Sequence, residues 1–408
     1  MSTEIIIRKD IKLGTWEGLG GAITEATAYN FSKLNSKRQQ ELIDTLFGKN
    51  GLDYRWCRLS IGSNDFCLKP YQYTKKSSLR DFSIDHDRQY ILPMLKMALK
   101  KQDLQIIASP WSPPAFLKTT HMKRFGGHLK PWRYHTYTRY VCKWLDAYRE
   151  EGVEIRYLTP QNEPHAIQKW ESCIYSYRAQ RRLAYKYLAP ALKDTNTQIL
   201  LWDHNKKHLA DVADQLLAEQ NPKIAGLCYH WYDGTHPDQM WQVHQKYPDI
   251  KLISSEMCVG FSPYDPKDWA TAANPYYYEL MSDINSGTSA FLDWNILLDW
   301  QGGPSYCKNY VKSPVILDEN GDNFILTPIY DALKKFAKLY PAGSQIVRCD
   351  YDSKDVAAVA RQTKSGYEAV VANVSGQEQQ IILKFGRKEH DFILKPLEIK
   401  KSRSDSHY

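Results

Sequence analysis

Eight short apolar runs, rich in β-branched and aromatic residues, recur along the chain, and nearly every one ends on polar side chains. They are WEGLGG from Trp16, YRWCRLSI from Tyr54, LQIIAS from Leu104 and EIRYLT from Glu154. The series continues with TQILLW from Thr197, IAGLCYHW from Ile224, KLISSE from Lys251 and TSAFLDWN from Thr288. Such runs read as strands. The segments between them carry helical periodicity, clearest in TYTRYVCKWLDAYREE, where Tyr137, Val141, Trp144 and Tyr148 fall on one face. Parallel strands need a crossover between each pair, so eight strand–helix repeats suit a (β/α)8 barrel. A doubly wound open sheet shows the same alternation. The polar strand ends favour the barrel: SIGSND, ASPWS, TPQNEP, HWYDG, SSEM and DWN would all converge on its C-terminal face.

After Pro341 the pattern changes to short alternating strands parted by SKD, KSG, VSGQ and GRKE turns. The opening EIIIRKDIKL alternates in the same way. The expected fold is therefore α/β: a (β/α)8 TIM barrel over residues 16–341, with a small antiparallel β-sandwich side domain from residues 1–15 and 342–408. The last residues, KSRSDSHY, read as a frayed end.

Composition narrows the function mainly by exclusion. The net charge of +8 is diluted over 408 residues. Basic residues gather only in the stretch from Lys118 to Arg133, without a basic helix or binding motif, so no nucleic-acid partner is expected. No stretch is long and apolar enough to span a membrane, and the charged N-terminus is not a signal peptide. The 8 cysteines show no CxxC spacing, which argues against zinc and against a disulfide framework and suits a reducing cytoplasm. No metal-ligand cluster or phosphate loop stands out, so neither metal nor cofactor is implied. Oligomeric state leaves no mark in the sequence. The 28 Tyr and 12 Trp are the compositional outlier, and such rings serve both cores and sugar platforms.

Two strand ends carry a carboxylate worth pairing. Glu163 follows the fourth run and Glu256 ends the seventh, which places them across the mouth of a barrel. Two facing carboxylates are the apparatus of glycoside hydrolysis.

The stretches GLGGAITEATAYN (18–30), RLSIGSNDF (58–66), ASPWSPPAFLKT (108–119), TPQNEP (159–164), HWYDG (230–234), SSEMCVG (254–260) and DWNILLDWQGGPSYCKNYVKSPVI (293–316) make a specific combination. Together they resemble glycoside hydrolase family 30, in its glucosylceramidase-like branch. The resemblance implies a retaining β-glycosidase with Glu163 as general acid/base and Glu256 as nucleophile. It places Arg58 beside Glu256, and Tyr232 as a hydrogen-bond donor to it. Asn162 would hold the sugar 2-hydroxyl, while His230, Asp65, Trp111, Trp294 and Asn309 would line the sugar site. The Glu256 charge and partial burial would keep Glu163 protonated. Glu25 departs from the family, which usually has Asp there, and would support the subsite from behind. The basic loop from Lys118 reads as a solvated loop, or else as a contact for an acidic aglycone, and Cys258 as a buried structural thiol. The expected partner is a small carbohydrate, and the expected activity hydrolysis of soluble β-glycosides, β-glucosides first. A β-xylosidase, β-fucosidase or β-1,6-glucanase would use the same two acids. A carbohydrate-binding protein that has lost catalysis is the reading from another class.

Overall fold

The computed structural model describes residues 2–261 and 269–404. The first strand, β1 (Ser2–Trp16), precedes eight parallel strands that close a barrel. These are β2 (Gly18–Ala22), β3 (Trp56–Ile61), β4 (Gln105–Pro110), β5 (Tyr157–Leu158), β6 (Gln198–Asn205), β7 (Ile224–His230), β8 (Lys251–Glu256) and β9 (Ala290–Asn295). Closure is made by β9 pairing with β2, Phe291 opposite Leu19. Each of the eight apolar runs contributes one barrel strand. EIRYLT contributes least: only Tyr157 and Leu158 form the ladder, and single bonds from Arg156 N to Ile106 O (3.1 Å) and Thr159 N to Ala108 O (2.9 Å) extend it.

Alternation decides what fills the barrel. Trp56, Ile107, Tyr157, Leu200, Cys228, Ile253, Ala290 and Leu292 form one buried cluster, drawn from seven of the eight strands. The eighth, β2, contributes Gly20. A Cβ there would lie 2.5 Å from Trp56 Cβ and 2.3 Å from Trp56 O. The missing side chain thus leaves room for the Trp56 indole, which stacks on Tyr157 with centroids 5.4 Å apart. Two residues further along six of these strands, on the same inward face, come Arg58, Ser109, Thr159, His230, Ser255 and Trp294. The barrel core therefore changes from apolar to polar in one pleat, toward its C-terminal end.

Outside the barrel, the helix Tyr134–Glu150 turns Tyr137, Val141, Trp144 and Tyr148 inward, as its spacing predicts. A small sheet follows β9, made of β10 (Leu297–Leu298), β11 (Val315–Leu317) and β12 (Phe324–Leu326). No helix among the described residues is long and apolar enough to cross a membrane.

The side domain joins both termini. Its strands β13 (Ser344–Asp350), β14 (Val356–Thr363), β15 (Gly366–Asn373), β16 (Gln379–Phe385), β17 (Lys388–Leu394) and β18 (Ile399–Arg403) take up β1 in the order β17-β16-β1-β13-β14-β15-β18. Every pair is antiparallel except β1 with β16. The period of two splits the sheet cleanly: Val356, Ala358 and Ala360 join Ile5, Ile7, Ile381 and Leu383 in the domain's own core. Ala357 and Val359 join the barrel's outer core instead. Asn285, at the end of the helix Asn274–Ile284, ties the two parts by giving and taking hydrogen bonds with the Cys349 backbone (2.8 and 2.7 Å). The end is less frayed than expected, because Lys401, Ser402 and Arg403 pair with β15. Residues 405–408 of that stretch lie outside the described residues.

Candidate active site

Asp203 is the residue the polar layer is built around, and backbone geometry puts it there. Along β6, Leu200 faces the barrel interior while Ile199 and Leu201 face out. Strict alternation would turn Trp202 in. Instead Trp202 and Asp203 both have positive φ (78° and 58°), and the β6–β7 register shifts between Trp202 and His204. This bulge sends Trp202 to the outer core and brings Asp203 inward. Asp203 accepts two hydrogen bonds from Arg58 Nη2 (3.0 and 2.9 Å), and one each from Thr159 (2.8 Å) and Ser255 (2.8 Å). Burial alone would raise its pKa, but the Arg58 charge and the His230 contact hold the carboxyl well below the usual range.

Arg58 exposes no surface and reaches four partners from one guanidinium: Asp203, Ser109 (3.3 Å), Asn162 Oδ1 (2.8 Å) and, through Nη1, Glu256 Oε2. Glu256 stands at the end of β8 with its other oxygen accepting from Tyr232 Oη at 3.0 Å. Glu163 lies past the end of β5 with φ +46°, an uncommon conformation for a residue other than glycine. Its N–H bonds to Asp203 O (2.9 Å) and the preceding Asn162 N–H to Pro110 O (2.8 Å), which fixes the turn over the barrel mouth. The Glu163 side chain keeps 14 % of its surface, and Gln168 Nε2 approaches one carboxylate oxygen at 3.4 Å. Such strain concentrates at working sites.

Two histidines face Glu163 Oε1, His204 Nδ1 at 3.7 Å and His230 Nδ1 at 3.5 Å. His230 Nδ1 also lies 4.0 Å from Glu256 Oε1, so both carboxylates converge on one nitrogen. The expectation of a raised Glu163 needs correction. Burial pushes that carboxyl up, but the two histidines outweigh it and hold it below the usual carboxylate range. His230 also departs from its expected place as a sugar contact. It exposes no surface and sits behind the carboxylates, with Nε2 on Asp203 Oδ1 at 3.1 Å.

The remaining expected residues fall into two pairs, Trp111 with Trp294 and Asp65 with Asn309. Trp111 and Trp294 stack with centroids 5.0 Å apart, with the Arg58 guanidinium 4.8 and 5.4 Å from their rings. They cluster with Phe66, Leu298 and Val311, and Trp170 and Cys258 pack against them. Asp65 Oδ2 accepts from Asn309 Nδ2 at 2.8 Å. Burial, then the Glu256 charge, push Asp65 up to about 8 against the opposing Asn309 bond. Cys258, expected as a buried structural thiol, is half-buried, with its Sγ 3.2 Å from Tyr232 Oη.

Buried ions support the loops. Glu25 accepts from the Leu68 N–H (3.0 Å) and contacts His86 Nε2 (2.7 Å), which props the loop carrying Asp65. Glu171 accepts from Ser63 (2.6 Å) and Tyr306 (2.7 Å) and pairs with Lys123 at 3.4 Å, so it joins three loops. The basic stretch is thus only partly solvated. Lys118 Nζ donates to Ser112 Oγ (3.0 Å) and the carbonyls of Lys123 (3.1 Å) and Ser172 (2.5 Å), and Lys123 Nζ to Ser63 Oγ and Tyr71 O. Sequence reasoning passed over Asp203, His204 and Trp170. The sequence WDHN after the fifth run carried a signal for the first two, a polar strand end like the others. Among the described residues no group of His, Cys, Asp and Glu is placed to hold a metal ion.

A closed parallel barrel with two carboxylates across its C-terminal mouth and stacked indoles beside them has the layout of a glycoside hydrolase. The chain belongs to glycosyl hydrolase family 30, whose TIM-barrel domain matches residues 16–340. It is 30 % identical over 381 residues to putative glucosylceramidase 4 of Caenorhabditis elegans, covering 87 % of this chain and 73 % of that one. It is 28 % identical over 393 residues to the mouse (Mus musculus) lysosomal acid glucosylceramidase, covering 90 % and 76 %. Among solved structures, SrfJ from Salmonella typhimurium superposes with a TM-score of 0.91 at 29 % identity, covering 98 % of this chain and 92 % of that one. The protein is a glycoside hydrolase.

Proposed function

We propose that this enzyme is a retaining β-glycosidase that hydrolyses β-glucosides through a covalent glycosyl-enzyme. The observation that carries the reading is the convergence of Glu163 and Glu256 on His230 Nδ1, at 3.5 and 4.0 Å. Their facing oxygens are no farther apart than those two distances end to end, an upper limit that admits the roughly 5–5.5 Å of a retaining pair and leaves out most of the roughly 6.5–9.5 Å of an inverting one.

Glu256 attacks the anomeric carbon. Arg58 and Tyr232 hold its two oxygens in place. Glu163 protonates the departing oxygen, then accepts a proton from the water that opens the glycosyl-enzyme. Asn162 keeps its amide free for the sugar 2-hydroxyl, since its Oδ1 is taken by Arg58. Asp65 and Asn309 bind hydroxyls at the far side of the ring, and the Trp111–Trp294 pair gives the pocket its apolar wall. The named glucosylceramidases among the relatives support glucose as the glycone. A non-catalytic binding role is disfavoured by the completeness of the Arg58–Glu256–Tyr232 set, which a binding protein has no use for. The eight free cysteines suit a reducing compartment, so we place the enzyme in the cytoplasm.

The test is hydrolysis of aryl β-glucoside, xyloside, fucoside and galactoside by the intact protein and by Glu256→Gln. Turnover of the glucoside above the others, abolished in the variant, is the expected result. Turnover that survives Glu256→Gln would overturn the assignment.

A further inference from the structure

An acid/base residue must hold a proton when the leaving group arrives, yet the surroundings of Glu163 favour its anion. The charges around it show where the proton belongs. Three carboxylates, Glu163, Glu256 and Asp203, crowd the polar layer, and the Arg58 guanidinium reaches two of them, Glu256 and Asp203. His230 sits between all three: Nε2 is engaged by Asp203 at 3.1 Å, and Nδ1 points at Glu163 and Glu256. That nitrogen is buried and makes no hydrogen bond, the two carboxylate oxygens standing at 3.5 and 4.0 Å. A neutral imidazole with its proton on Nε2 would aim a lone pair at two carboxylates. An imidazolium meets all three acids with N–H groups or positive charge.

We infer that Glu163 and His230 hold one proton between them, kept on His230 Nδ1 in the resting enzyme and passed to Glu163 as the leaving-group oxygen docks. This rests on the reading of Glu163 as the acid. In glycosylation the Nδ1–H bond breaks as the Glu163 O–H forms, and Glu163 delivers that proton to the departing oxygen while Glu256 forms the ester. The net charge of the cluster is unchanged, because one carboxylate charge and one proton leave it together. In the second step water loses a proton to Glu163, which returns it to His230 as the ester opens. His230 acts through Glu163 and is a positioning residue. The groups facing it are Asp203 from β6, Glu163 beyond β5 with His204 on that carboxylate's other side, Glu256 from β8, Arg58 from β3 through Asp203, and the Tyr232 ring at 5.9 Å. Burial alone would lower the imidazole. The Glu256 charge and the Asp203 and Glu163 contacts outweigh it and lift it to about 9.

Two measurements test this. Nitrogen NMR of histidine-labelled native protein reads the ring directly and needs no turnover. His230 is expected doubly protonated at pH 7, titrating well above an ordinary histidine, with its pKa lowered in Glu163→Gln. A neutral ring at pH 7 overturns the inference even if glycosides are hydrolysed. The second measurement compares His230→Gln with the native enzyme on a dinitrophenyl glucoside, which needs no acid, and on an alkyl glucoside, which does. The expected loss is at least about 100-fold larger for the alkyl substrate, and the basic limb of kcat/KM moves toward acid. Equal losses on both substrates would assign His230 a purely structural role. Failure of the native enzyme on every glycoside would instead count against the glycosidase reading, while the NMR result would still decide the proton's place.

Discussion

Arg58 and Asp203 share two hydrogen bonds, 3.0 and 2.9 Å long, at the floor of the barrel mouth, and neither exposes any side-chain surface. This pair is the fixed point from which the rest of the site is hung. A planar fork can address Asp203, Glu256, Asn162 and Ser109 at once, whereas a lysine ammonium cannot. Arg58→Lys is expected to fold but to lose about 100-fold or more in kcat/KM through misplacement of Glu256, as steady-state kinetics on an aryl glycoside would show. Arg58→Met strands two buried carboxylates and is expected to cost about 3–5 kcal/mol by denaturant unfolding.

Asp65 is a buried carboxyl whose protonation is linked to folding. Its folded-state pKa of about 8 lies above that of an unfolded aspartate, so the folded protein binds the extra proton. Stability from this group is full at acid pH and falls as pH rises through about 8. Asp65→Asn removes that dependence. Its Tm is expected to exceed the native value by a margin that widens between pH 5 and 8, while KM for the glycoside rises. A constant margin across the range would show that Asp65 does not carry the shift.

Glu171 holds the loops of Ser63, Lys123 and Tyr306 to one carboxylate that is almost fully buried. Glu171→Ala leaves these donors unpaired, an expected loss of about 1–3 kcal/mol. Since the loop with Ser63 also carries Asp65, KM is expected to rise more than kcat falls.

Asn285 couples the barrel to the side sheet through paired bonds with Cys349. Asn285→Ala is expected to cost about 1–3 kcal/mol with little change in kcat, because Asn285 lies between the end of the helix Asn274–Ile284 and the start of β9, at the end of the barrel opposite the carboxylates. Thermal unfolding followed by far-UV circular dichroism, beside activity at 25 °C, separates the two effects.

Much of this was legible in the residues. The alternation of eight apolar runs with amphipathic segments marked the barrel, and Glu163, Glu256 and Tyr232 stood at or just past strand ends that the fold brings together around Arg58. Asp203 was not legible, since its inward aim comes from two consecutive left-handed residues that break the period of two. Lys118 and Lys123 looked like solvated charge, because a sequence does not show which carbonyls will surround an ammonium. Glu25 read as a support from behind, and its partners, Leu68 N–H and His86, are set by the path of the 62–68 loop, which the sequence does not show. The parallel pairing of β1 with β16 joins segments at opposite ends of the chain, and no local pattern encodes it. His230 was placed correctly near the site yet given the wrong neighbour, because strand ends reveal depth poorly.

The central claim is that Glu256 becomes covalently glycosylated. Its most direct test is intact-protein mass spectrometry after mixing with a 2-deoxy-2-fluoro-glucoside bearing a good leaving group, followed by peptide mapping. A gain of one fluorohexosyl unit on the peptide containing Glu256 is the expected result. A label on any other residue, or rapid turnover of ordinary glucosides with no label at all, would contradict the account.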